Sequence, residues 1–290
     1  MFQVVLSLSL VAIVVVWTLP SLLPATRDDV DRFAQAHDID PGPEGRRLVR
    51  YQLTLGSRLR VLLFVDGVVV PPMLFAALGL GQINLALLVA LVVAAGIVAV
   101  LVTELAMNRP AGSGRRTASL RPRDPRSYVP APLRWAPGIG AAGTVVALVA
   151  TQLVTYPPRT WETWTLGDQA PPLGWVIVAC IFVAALPTAS VLGSRWILAR
   201  PQPFVSTDLV ATDDALREAS VRRIATLASV GAAISLSLAV TALGGALDDG
   251  SAPQTALSAV LLVSLLAIVA VLALAKRRTF TAARLDRTRS

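Results

Sequence analysis

Seven long apolar blocks constrain this chain more than anything else in it. They run about Val4–Leu23, Val61–Gly81, Ile83–Met107, Ala136–Thr155, Gly174–Leu198, Ile224–Ala246 and Thr255–Ala275. About 20 apolar residues rising ~1.5 Å each cross the hydrocarbon core of a bilayer, so blocks of this length read as transmembrane helices. Composition agrees: only 15% of the 290 residues are charged and the mean hydropathy is +0.65. A soluble domain is about one-quarter charged. The expected fold class is therefore all-α, a polytopic helical membrane protein of about seven transmembrane helices forming a single integral membrane domain.

The basic residues orient it. Twenty-five of the 26 Lys and Arg residues fall in segments 24–60, 108–135 and 199–223, at the ends of the adjoining helices, or in the tail 276–290; Arg159 is the exception. Seven helices alternating from an outside N-terminus put those segments on one side, which the positive-inside rule assigns to the cytoplasm. The C-terminus is then inside. The first block lacks a basic flank and an A-x-A-like cleavage site, so it reads as an uncleaved anchor. Trp135 and Trp196 fall at expected inner helix ends, and Trp161, Trp164 and Trp175 around an outer connection, as suits a side chain that prefers the headgroup layer. Almost exclusive use of Arg over Lys, with abundant Ala, Val, Gly and Pro, points to a bacterial gene and hence to the bacterial cytoplasmic membrane.

The net charge of +8 does not call for nucleic acid, because topology already accounts for where it lies. A basic inner face attracts anionic lipid headgroups, and the inner loops offer surface to a protein partner. One cysteine (Cys180) and one histidine (His37) leave no multi-Cys or multi-His metal set, and no cofactor is expected.

Gly138, Gly140 and Gly143 have the G-x-G-x-x-G spacing of a dinucleotide-binding turn. That fingerprint needs a strand before it and an acid about 20 residues beyond. Here Arg-Trp-Ala-Pro precedes it and a membrane helix follows, so the glycines are expected to serve close helix packing.

Asp66 and Glu104 are the acids within the expected spans. A carboxylate at membrane depth costs on the order of 2.5–3.5 kcal/mol unless something offsets it. Pairing with an inner arginine, for which Arg60, Arg134 and Arg195 are the expected partners, competes with a role as proton acceptor in a transport path. Pro71, Pro72 and Pro187 are expected to kink their helices. Segment 212–227 reads as a helix running straight into the sixth span, with Asp213 and Asp214 near its start and one face in water. Within it, Glu218-Ala219-Ser220 is similar to the E-A-A loop of bacterial importers over those residues alone, without the glycine that follows in such loops. "RRLVRYQLTLGSRLR" (46–60) places Leu48, Tyr51, Leu55 and Leu59 on one stripe. That suits either an interfacial helix or an extension of the second span.

No catalytic set is legible. The leading expectation is a non-catalytic membrane subunit or scaffold acting with a partner. The alternative is a permease, or the membrane subunit of a transporter, with or without an ATPase. An intramembrane enzyme comes third, since paired acids or histidines at membrane depth are missing.

Overall fold

The computed structural model describes residues 23–68, 85–107, 128–154, 173–200 and 207–244. The first and last apolar blocks, Pro71-Pro72 and most of the 108–135 segment lie outside the described residues. Within them there are six helices and no strand: α1 (Arg27–His37), α2 (Pro43–Val68), α3 (Leu85–Met107), α4 (Ala131–Thr151), α5 (Leu173–Ala199) and α6 (Thr207–Gly244). Three stretches are long and apolar enough to cross a membrane, Ala131–Thr151, Val176–Ala199 and Asp208–Gly244, and Val93–Met107 is a shorter apolar one. Their outer surfaces are apolar too. Ile139, Val146 and Ile181 are each at least 67% exposed, which water would penalise and a bilayer would not.

α6 is the axis of the bundle. Its 38 uninterrupted residues span about 57 Å, and α3, α4 and α5 pack around it. Small residues make this possible, for Ala225, Ala228, Ser229 and Ala232 are all buried along it. A Cβ added at Gly140 would stand 2.9 Å from the Ala232 Cβ, and one at Gly231 would stand 2.8 Å from the Val93 Cγ1. At those two points the helices approach closer than any side chain would allow. Gly143 packs on Leu236. Gly138 is the correction to the three-glycine expectation. It faces outward with open space around it, because it lies about 200° around the helix from Gly140.

Contacts along α6 set the direction of each neighbour. On α3, Glu104 meets Ser220 while Val93 meets Gly231, so α3 runs antiparallel to α6. On α4, Gly140 and Gly143 meet Ala232 and Leu236, so α4 runs parallel to it. The C-terminal ends of α3 and α5, the N-terminal end of α4 and the first half of α6 therefore gather at one end of the bundle. Val100, Leu133, Ile197, Val221 and Ile224 share a buried cluster there.

α1 and the first half of α2 cover that end. Thr26 and Asp29 form a reciprocal capping box at the start of α1. Val30 packs with Val49, Met107 and Leu216. α2 is continuous from Pro43 to Val68, so segment 46–60 runs without a break into the start of the second apolar block. Its buried stripe is Gly45, Val49, Gln52 and Gly56, whereas Tyr51 of the expected stripe is exposed. The two stripes differ because the inward face of α2 meets polar groups and close backbones, which an apolar pattern does not mark.

Buried hydroxyls in the bundle turn back on their own helices. Thr103 donates to the Ala99 carbonyl (2.7 Å), Thr144 to Gly140 (2.7 Å) and Ser229 to Ala225 (2.7 Å). In a medium without water this is how a Ser or Thr stays satisfied.

Candidate functional site

At the end where α3 and α5 finish, four charged side chains meet out of contact with solvent. Glu104 sits one turn before the end of α3, Arg200 immediately follows α5, and Asp213 and Arg217 lie one turn apart on α6. Glu104 and Arg217 are both 0% exposed. Arg200 bridges the two acids, with Nη1 2.9 Å from Glu104 Oε2 and Nη2 2.5 Å from Asp213 Oδ1. Arg217 closes on the other oxygen, with Nη2 2.7 Å and Nε 2.8 Å from Asp213 Oδ2. Two carboxylates and two guanidinium groups make the cluster neutral. Charges removed from water are tolerated only under such mutual pairing and full hydrogen bonding.

Neighbouring polar groups complete the network. Glu104 Oε1 accepts from Gln52 Nε2 on α2 (2.8 Å) and from Ser220 Oγ on α6 (2.5 Å). Arg217 Nη1 donates to the Arg200 carbonyl at 2.6 Å, and reaches those of Ile197 and Leu198 at 3.4 and 3.5 Å. These carbonyls end α5, where a helix has no partners of its own to offer them. Gln52 Oε1 is buried without a hydrogen-bond partner. Its orientation follows from Glu104, since the carboxylate requires the amide NH2 and would repel the amide oxygen. The network thus joins four elements, α2, α3, the end of α5 and α6. Chemically it is a clasp, in which each charged oxygen faces a donor on another helix or another turn.

Glu104 therefore meets an arginine, and that arginine is Arg200. The expected partners stand elsewhere. Arg134 and Arg195 are exposed on α4 and α5. Arg60 and Asp66 have helical backbone in α2, but their side chains lie outside the described residues. Pro187 lies inside α5, next to Leu186, which is buried against Val93, Ala228 and Ala232. On 212–227 Asp213, Arg217 and Ser220 are buried together on one face, while Asp214, Glu218 and Arg222 on the opposite side are half-buried. The Glu218-Ala219-Ser220 triplet lies in mid-helix, with Glu218 paired to Arg222 at 2.6 Å and Ser220 held on Glu104.

Arg200, Asp213, Arg217, Gln52 and Ser220 were missed from the sequence. One signal was present. Asp213, Arg217 and Ser220 recur at i, i+4 and i+7, and Ile224 and Gly231 continue the same face of α6 as its buried stripe. A polar run in phase with an apolar stripe marks a buried network. Nothing comparable identifies Arg200, which the chain delivers from beyond a helix end.

Outside the bundle, His37 stacks on Phe33 with ring centroids 4.1 Å apart. Its Nδ1 lies 2.9 Å from the Phe33 carbonyl. Burial holds its pKa below the ordinary histidine value. Comparison with known families, curated proteins and solved structures gives no match.

Proposed function

We propose that the chain is a multi-pass protein of the bacterial cytoplasmic membrane, with about seven spans, its N-terminus outside and its C-terminus inside. In this reading it is a non-catalytic membrane subunit or scaffold that presents a stiff inner platform to a protein partner. The observation that carries the reading is the neutral clasp. Glu104, Arg200, Asp213 and Arg217, buried at the inner end of the spans, engage one another and, with Gln52, bind α2, α3, α5 and α6 into one unit. Groups arranged this way hold geometry. A relay or a substrate site instead keeps a charged group facing a cavity or a path. The platform above the clasp, α1 with the first half of α2, exposes Arg47 and Arg50.

The test is purification of the tagged protein from native membranes in a gentle detergent, with quantitative mass spectrometry of what stays bound. The scaffold reading expects a stoichiometric partner that the Arg47→Glu/Arg50→Glu double variant releases while remaining folded. A lone protein that carries a reproducible flux in proteoliposomes would overturn it in favour of the permease alternative. A bound ATPase would point to the transporter-subunit form of that alternative.

A further inference from the structure

Contacts along α6 give its neighbours their heights. On α2, Gly45 stands against Thr212, Gln52 against Ser220 and Gly56 against Arg223, so α2 runs parallel to α6. On α5, Leu186 meets Gly231 and Gly193 meets Ile224, so α5 runs antiparallel. Carried along at equal rise, these pairings set Arg195 and Trp196 of α5 level with Arg222 and Val221, and Arg58 of α2 level with Ala225 and Thr226. The contacts of Gly140 and Gly143 set Arg134 and Trp135 of α4 level with Thr226 and Leu227. All five side chains are exposed, Trp135 at 69% and Trp196 at 42%. They form a belt about 10 Å deep on three separate helices. From the belt to the outer end of the bundle no described side chain is acidic, and none beyond the level of Arg134 is charged. Exposed Ile139, Val146 and Ile181 lie in that stretch. From Thr226 to Gly244, where α6 ends, it measures about 27 Å, close to the ~30 Å of a hydrocarbon core.

We infer that this belt is the surface by which the protein binds the anionic headgroups of the inner leaflet, and that it seats the bundle at a depth where the clasp stands outside the hydrocarbon. A guanidinium fork matches a phosphate while its stem covers apolar surface, and an exposed indole suits the boundary between acyl chain and headgroup. Three exposed arginines with no acid between them and the outer end call for an anionic counterpart. A protein partner would meet one side of the bundle, whereas charges on three separate helices at one height suit a surface that surrounds it. Asp213 and Arg217 then lie on the order of 10 Å to the water side of Trp196. The first part of α6, from Thr207 to Val221, projects about 21 Å beyond the belt together with α1 and the first half of α2. The burial of the clasp is therefore the work of protein packing rather than of lipid. The inference rests on the multi-pass reading above and is independent of the partner, because it is read on the isolated protein.

The full-length protein, in a Cys180→Ser background, is placed in nanodiscs of phosphatidylcholine and phosphatidylglycerol. A fluorophore on Arg47→Cys or Val146→Cys is then quenched by lipid that is spin-labelled in mid-chain. Val146 lies about 18 Å to the outer side of Arg134 and Arg47 about 10 Å to the water side of Trp196, so only Val146→Cys should be quenched. Quenching at both positions would overturn the inference and leave the membrane reading standing; quenching at neither would remove both. Lipid selection is read from the motionally restricted fraction of spin-labelled phosphatidylglycerol against phosphatidylcholine. The wild type should prefer phosphatidylglycerol about threefold, because each basic residue favours the one anionic lipid beside it by about fivefold and most contacting lipids have no such neighbour. The Arg58→Gln/Arg134→Gln/Arg195→Gln variant should select neither lipid, and the corresponding triple lysine variant should keep most of the preference. Equal selection by the wild type, or an undiminished preference in the glutamine variant, overturns the inference.

Discussion

Arg217→Met tests the clasp most directly. The methionine stem follows much of the arginine's path but removes the charge and every donor. Asp213 then keeps Arg200 alone, and the cluster passes from neutral to one uncompensated negative charge at a site where Arg217 itself is 0% exposed. Removing one partner of a buried ion pair costs about 3–5 kcal/mol. Part of that is the Arg200 carbonyl, which loses a 2.6 Å donor; a buried acceptor left unpaired costs ~1–3 kcal/mol. Adding Asp213→Leu restores neutrality, because Glu104 and Arg200 remain as a pair, and leaves mainly the carbonyl penalty. The double variant should thus be more stable than Arg217→Met by at least about 1 kcal/mol. The assay is reversible unfolding in mixed micelles with rising denaturing detergent, followed by tryptophan fluorescence. An Arg217→Met penalty below ~1 kcal/mol, or a double variant as unstable as the sum of the single ones, would refute the reasoning.

Other outcomes follow from the packing and the helix ends. Gly140→Val should force α4 away from Ala232 at a cost of about 1–3 kcal/mol, whereas Gly138→Ala, with open space around it, should leave the bundle unchanged or slightly more stable; the same unfolding assay compares them. Thr26→Ala removes the α1 capping box and should cost about 1 kcal/mol, read as faster proteolysis of α1. His37 is held below its ordinary pKa by burial, with the Glu218–Arg222 pair facing it. The unfolded chain therefore takes up the proton first, and stability should fall as pH drops below about 6.5; His37→Gln should flatten that slope between pH 7.5 and 5.5. In a Cys180→Ser background, an impermeant maleimide should label Gln152→Cys in intact cells and Arg47→Cys only after lysis. The reverse pattern would invert the topology.

Class was legible in the residues because the bilayer imposes a length and a polarity on any chain that crosses it. Blocks such as Gly174–Leu198 announce a helix through composition alone, and α5 (Leu173–Ala199) occupies nearly the same residues. The clasp was half legible. Glu104 stands out as an acid in an apolar run and demands a partner, but the partner's identity depends on how helix ends meet. Arg134 and Arg195 lie at a similar depth to Arg200 along the chain. Only Arg200 is turned inward, by the helix end it follows.

What the sequence by itself determined was local: helical segments, a Thr26 cap, small residues for close approach, and charge gathered into a few connections. These follow from the backbone's need for internal hydrogen bonds and from the cost of polar groups in hydrocarbon. What only the tertiary structure decided was which face of each helix turned inward. It set Gly140 against Ala232 and left Gly138 open. It buried the face of α6 that carries Asp213, Arg217 and Ser220, and it brought Gln52 to Glu104 across 52 residues of chain. Rotation about a helix axis leaves its composition unchanged, and a charged side chain is buried only where another chain segment arrives with the opposite charge.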